Sequence, residues 1–188
     1  MLVSAAFGVL IAVGIYGTAR SLQEIQEHKE LLATLDRSEA LQQYLSAKVL
    51  MLLAADISQG QLPTALTRHL FADEVAVVDL EPIATTNHIV PMQGIQAQHW
   101  EAAPVVQRRI GDVQLWRLLL AAVHSCERAE FHVETGHFLD AQEQIYQARL
   151  RFDALAATQD GKRAQIRAGL TIAWRQQPDS TWKIYRWH

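Results

Sequence analysis

Between positions 145 and 175 apolar and polar side chains alternate with a period of two, a rhythm that places neighbours on opposite faces of a strand and that no helix can use. Tyr146, Ala148, Leu150, Phe152 and Ala154 share one face, and Ala164, Ile166, Ala168, Leu170, Ile172 and Trp174 share the corresponding face of the next run. The opposite faces carry Gln147, Arg149, Arg151 and Asp153, then Arg163, Gln165, Arg167, Thr171 and Arg175. One apolar and one charged face predict antiparallel strands covered by helices on one side and open to water or a partner on the other. Residues 129–138 and 181–188 are also strand-like, and Asp160-Gly161 and Pro178-Asp179 supply turns, so the whole reads as a four-strand meander.

The other end of the chain has a different character. Residues 1–19, MLVSAAFGVLIAVGIYGTA, contain no charged side chain, and as a helix they reach roughly 28 Å, close to the hydrocarbon thickness of a bilayer. A transmembrane anchor is expected there. A cleaved secretory signal is the rival: Gly17 and Ala19 suit a peptidase, but the basic leading region is missing. Arg20, Lys29 and Arg37 follow the segment and weakly favour a cytoplasmic domain, so charge alone leaves the face open.

Ser21-Leu22-Gln23-Glu24 has the spacing of a capping box and predicts the start of a helical stalk over residues 20–37. Its stripe of Leu22, Ile25, Leu32 and Leu35 is thin and interrupted by Lys29, which suits a spacer or loose helix pairing. Asp36-Arg37-Ser38-Glu39 predicts a second start, leading into a broad apolar stripe through Leu41, Tyr44, Leu45, Val49, Leu52 and Leu53. Gly60 and Pro63 punctuate that helix, a short helix is expected over 66–71, and the β-branched run 75–80 reads as a strand. Residues 82–111 read as loops and short strands, and Asp112 caps a further apolar helix through Val123.

Several function classes start low. The net charge is -3 and the longest basic run is Arg108-Arg109, which removes the electrostatic case for nucleic acid. Cys126 is the single cysteine, so neither a disulfide framework nor a cysteine zinc site forms within one chain. His88, His99, His124 and His188 share no metal-ligand spacing, and no nucleophile elbow, P-loop or dinucleotide fingerprint is present. No cofactor and no metal are expected.

The phrase Leu70-Phe71-Ala72-Asp73-Glu74-Val75 opening a strand, a further helix, and long strands ending in Asp179-Ser180-Thr181-Trp182-Lys183-Ile184-Tyr185-Arg186-Trp187-His188 resemble the nuclear transport factor 2-like superfamily, with its SnoaL-like and ketosteroid-isomerase-like branches. The likeness covers residues 38–188. It implies an α+β domain in which a strongly bent antiparallel sheet wraps helices as a cone around an apolar cavity, preceded here by the anchor and stalk. The cavity would be lined by Phe131, Val133, Tyr146, Leu150 and Phe152, together with Ile166, Leu170, Ile172 and Trp174. Residues 116–153 also resemble, more weakly, the module ahead of FG-GAP and ASPIC/UnbV repeat regions in exported bacterial proteins. That likeness implies an extracytoplasmic domain leading a longer chain.

An isomerase- or cyclase-like reaction in such a cone needs a base and a hydrogen-bond donor for a developing enolate. Tyr146 could donate and Asp79 or His137 could serve as base, the latter if the strand bends at Gly136; core packing, a turn contact and a polar strand position account for them more simply. Glu130, His132 and Glu134 lie two apart and form a row that could hold a metal, but Arg149, Arg151 and Arg167 on neighbouring strands explain the row as cross-strand charge pairing. Relatives often dimerise through this outer face, so His132, Glu134, Arg149, Arg151 and Arg167 are expected at a homodimer interface. The reading taken is a membrane-anchored, non-catalytic binding or dimerisation module for a small hydrophobic ligand or a second copy. An enzyme acting on a small hydrophobic substrate and a purely structural anchor are the alternatives.

Overall fold

The computed structural model describes residues 2–60, 67–82, 100–109, 123–158 and 161–188, with side chains from Gln23 onward except at 79–82, 100–103, 108, 123–124 and 158. Two compact units result, Met1–Leu41 and Gln42–His188, dividing four residues beyond the expected stalk boundary at 37/38.

The first unit belongs to one continuous helix, α1 (Leu2–Leu45), whose 44 residues extend about 66 Å. Neither expected helix start is used as one: the backbone stays helical through Ser21 and through Asp36-Arg37-Ser38-Glu39. A capping box acts only where the preceding residue leaves helical geometry, and here good helix formers continue on both sides. Gln23 and Gln26 donate to Glu27 and Glu30 at 2.8 and 2.9 Å, adding the support of residues four apart. Ile25, Leu32 and Leu35 of the thin stripe are exposed. The side chains of the apolar segment 1–19 lie outside the described residues; among the described residues, no helix is long and apolar enough to cross a membrane.

The second unit opens with the last turn of α1, a π-helical turn at Ser46–Leu50, and α2 (Met51–Ser58). Leu45, Val49, Leu50, Leu53 and Ile57 are buried, and their spacing makes them one stripe. The π turn, unmarked in the sequence, re-aims this stripe. After α2 the expected short helix is reduced to a single 3-10 turn, Arg68–Leu70, because Phe71 already begins β1 (Phe71–Pro82). Thr67 donates a short hydrogen bond to the buried carboxylate of Asp56, tying the entry of β1 to the end of α2. Thr67→Val is expected to cost about 1–3 kcal/mol, because it removes a partner from a buried acceptor; urea unfolding of the two proteins measures it.

The remaining strands are β2 (Trp100–Arg109), β3 (Val123–Phe138), β4 (Ile145–Thr158), β5 (Arg163–Gln176) and β6 (Trp182–Trp187), in the order β2-β1-β6-β5-β4-β3. The expected meander is present, but the sheet is mixed: β1 lies parallel to β6, all other neighbours antiparallel. A parallel neighbour needs a long crossover, and here everything from β2 to β5 supplies it. The helix expected after Asp112 falls almost wholly outside the described residues, and Val123 is already in β3.

Asp140 closes the β3–β4 turn by accepting from the amides of Gln144 and Ile145 at 3.0 and 2.8 Å. Asp179 does the same for β5–β6, accepting from the Thr181 amide at 3.0 Å and its hydroxyl at 2.6 Å, which holds its carboxyl below the ordinary range. Along β4 the even-numbered side chains from Tyr146 to Ala156 are buried, and they face even-numbered residues of β5: Tyr146 opposite Trp174, Ala148 opposite Ile172, Leu150 opposite Leu170.

Candidate functional site

The sheet interior is filled. Tyr146, Leu150 and Ile172 have no accessible surface, and Phe152 and Trp174 retain 1% each. A side chain beside a water-sized space keeps accessible area, so these five of the expected cavity-lining residues meet other side chains instead. The rings interlock: Tyr146 contacts Trp174 and Phe138 with centroids 6.2 and 5.3 Å apart, and Phe131 contacts Phe152 and Trp187 at 5.0 and 6.0 Å. Val133, Ile166 and Leu170 are only half-buried.

Of the three candidates for enolate chemistry, Tyr146 and His137 do not come together. Tyr146 is locked in the core, its hydroxyl donating to the amide oxygen of Gln42 at 3.4 Å. His137 is exposed and lies in register with Gln147, on the face away from Tyr146. Asp79 occupies β1, and its side chain lies outside the described residues.

An open groove of about 760 Å³ lies elsewhere, between the helical segment and β3. Its helical wall presents Leu50, Met51, Ala54 and Ala55, with Ser46 and Ser58 at the ends, and its other wall is the run from Glu127 to His132. Of the expected cavity residues, Phe131 reaches this groove. Nothing in the sequence marked the helical wall, since Met51 and Leu50 sit in an ordinary amphipathic pattern. Cys126 is buried beside it, its thiol donating to the Arg128 carbonyl at 3.3 Å, and burial pushes that thiol up.

Three slips interrupt the pairing of β3 with β4, the first between Val123 and Ser125, and the other two frame the groove wall. These two fall between Cys126 and Arg128 and between Val133 and Thr135, leaving a regular stretch from Arg128 to Val133 between them. Each of the two adds a residue, Glu127 and Glu134, and reverses which face the following side chains take. Within the regular stretch Ala129, Phe131 and Val133 face inward, opposite Ala154, Phe152 and Leu150, whereas Glu130 and His132 face outward opposite Asp153 and Arg151.

The outer face is a charge network. Arg128 holds Glu130 at 2.6 Å, Arg151 and Arg167 hold Asp153 at 2.7 and 2.9 Å, and Arg149 approaches Glu134 at 3.7 Å. His132 lies 3.5 Å from Glu130 and 3.9 Å from Asp153. Glu130 and Asp153 are like charges directly opposite each other, a pairing made tolerable by the surrounding guanidinium groups. Among the described residues no group of acidic, histidine or cysteine side chains is placed to hold a metal ion.

Hydrogen bonds from Arg167, then Arg151, hold the Asp153 carboxyl below the ordinary range. A lowered folded pKa makes the group's stabilising contribution complete above the unfolded value of about 3.9 and removes it as pH falls through the lower folded value. The urea midpoint difference between wild type and Asp153→Asn is therefore expected to stay constant down to about pH 4 and shrink below it. A difference already shrinking near neutrality contradicts the assignment.

No family model matches the sequence, and no curated protein matches it. Among solved structures, the chain is similar to an NTF2-like protein with a cystatin-like fold from Novosphingobium aromaticivorans, with 12% identity, TM-score 0.42, and 85% of this chain and 86% of that one covered. It is also similar to an NTF2-like protein of unknown function from Exiguobacterium sp. 255-15, with 15% identity, TM-score 0.33, and coverage of 64% and 75%. Its structural neighbours thus include NTF2-like proteins. A third, from Xanthomonas campestris and proposed to be a calcium/calmodulin dependent protein kinase II association domain, has 13% identity, TM-score 0.42, and coverage of 71% and 76%.

Proposed function

We propose that this chain is a membrane-anchored, non-catalytic association module that joins a second copy of itself through the outer layer of its sheet. The observation that carries the reading is the contrast between a filled interior and an outside rich in recognition chemistry. Catalysis on a small apolar substrate needs positioned groups in a site that excludes water. Here the buried tyrosine contacts aromatic rings and an amide, while histidine, carboxylate and guanidinium groups stand on the exposed face of β3 to β5. His132, Glu134, Arg149, Arg151 and Arg167 are the expected contact residues there.

The uncharged run 1–19 supports the anchor, and the likeness to modules of exported bacterial proteins supports an extracytoplasmic face with further chain beyond His188. Light scattering on the full chain in detergent is expected to give two copies per particle; one copy at every concentration overturns the association. Alkaline extraction of membranes is expected to leave the full chain behind and to release a form lacking residues 1–19.

A second reading is favoured by the apolar helical wall of the groove: Leu50, Met51, Ala54 and Ala55, facing Phe131, suit a small hydrophobic ligand. A saturable, concentration-dependent rise in thermal stability with a short-chain fatty acid supports it over self-association.

A further inference from the structure

The groove has a feature that a site lying over a sheet face lacks. Every residue from Glu127 to His132 lines it, odd and even alike. Side chains on one face of a strand recur every second residue, so a wall made of consecutive residues is the strand's edge, with its backbone amides and carbonyls. β3 stands at one end of the sheet order, with β4 on one side and no strand on the other among the described residues. At the opposite end, β2 contains Pro104, which lacks an amide, whereas β3 has no proline and no glycine before Gly136.

The sequence along this edge, Arg128-Ala129-Glu130-Phe131-His132-Val133-Glu134, places Arg128 and Glu134 at equal distances from Phe131, as it does Glu130 and His132, and is apolar at every inward position. We infer that two copies of this chain pair edge to edge through β3, antiparallel, with a two-fold axis at Phe131. That register sets Phe131 against the partner's Phe131, Ala129 against its Val133 and Glu130 against its His132, and it brings Arg128 to the end of the ladder beside the partner's Glu134, the residue added at the bulge. Each contact except the Phe131 pair on the axis occurs twice, as an isologous interface requires. Moving the axis one residue toward the N-terminus sets Glu130 against the partner's Glu130, and one residue toward the C-terminus sets Glu130 against its Glu134. A parallel pairing stacks Arg128 on Arg128 and Glu134 on Glu134. Like charges directly opposite are destabilising, so the edge selects one orientation and one register.

The bulges at both ends of the regular stretch limit the contact to a short ladder, and the helical wall covers the apolar side of the incoming strand. Met51, 68% exposed in the single copy, is the side chain placed to receive it.

This inference rests on the self-association reading above and adds the surface and register to it. The test is charge exchange in the full chain, with dimer dissociation measured in detergent. Arg128→Glu and Glu134→Arg are each expected to weaken the dimer about tenfold, since each places like charges at two symmetric contacts. The double exchange Arg128→Glu with Glu134→Arg is expected to restore it to within about threefold of wild type. The two positions are roughly 20 Å apart along one strand, so rescue requires a second copy. In a Cys126→Ser background, Phe131→Cys is expected to form a disulfide-linked dimer on mild oxidation. A wild-type monomer defeats both readings. A dimer that ignores the charge exchanges and fails to cross-link, yet dissociates on Arg151→Glu or Arg167→Glu, keeps the association and overturns the edge register.

Discussion

Trp174→Ala is expected to destabilise the folded unit by about 3–5 kcal/mol, the range for emptying a large buried aromatic site. Trp174 is 1% exposed and packs against Tyr146 at 6.2 Å, in register with it across β4 and β5. Neighbours on two long strands cannot collapse into the space, so most of the lost contact remains as a cavity. Trp174→Phe provides the contrast. The indole nitrogen is buried with no partner among the described residues, so removing it sacrifices no hydrogen bond. That change is expected to cost clearly less than the alanine variant, because the phenyl ring refills part of the site. Chemical denaturation monitored by far-UV circular dichroism measures both. A small cost for alanine contradicts the filled interior, because it implies that Trp174 already borders empty space.

Gly136→Ala is the second large effect. A methyl group there sits 2.0 Å from the Tyr146 hydroxyl oxygen and 2.7 Å from the ring carbon that bears it. Tyr146 has no accessible surface and is gripped by Phe138 and Trp174, so the ring cannot swing away. Overpacking of this kind costs about 1–3 kcal/mol, and a chain of this size loses roughly 2–4 °C per kcal/mol. Tyr146→Phe in the same chain is expected to recover part of the loss, because it removes the nearest atom but leaves the ring close. Differential scanning calorimetry of wild type, the single variants and the double variant gives the coupling between the two positions. Full additivity contradicts the contact.

Gly136 also shows where sequence reading reaches its limit. The alternation from Tyr146 to Ala156 was legible because a strand's two faces meet different environments, and burial follows that pattern residue by residue. The turn residues Asp140 and Asp179 mark both hairpins through side-chain bonds to nearby amides, though only the second stood out as a turn in the sequence. The bulges at Glu127 and Glu134 are different. They are backbone slips with no composition of their own, and each exchanges inward for outward positions, so a row drawn by counting twos along β3 cannot be carried past them. In sequence Gly136 reads as a bend in the strand; its role is to leave room for a ring arriving from β4.

The parallel contact of β1 with β6 was equally hidden, since it joins segments from opposite ends of the folded unit. So was the groove, whose helical wall is re-aimed by a π turn and whose other wall is a strand edge. The candidates chosen by chemical type, Tyr146 and His137, are separated by the sheet.

If the domain joins a second copy through its outer strand layer, as proposed, its thermal stability depends on protein concentration. Binding that occurs only between folded chains stabilises them by mass action. The midpoint of the full chain in detergent is therefore predicted to rise by a few degrees for each tenfold increase in protein at fixed detergent-to-protein ratio, and in Arg128→Glu the rise is predicted to set in at about tenfold higher protein. A midpoint independent of concentration over the same range, identical in wild type and Arg128→Glu, shows that the folded chains do not associate.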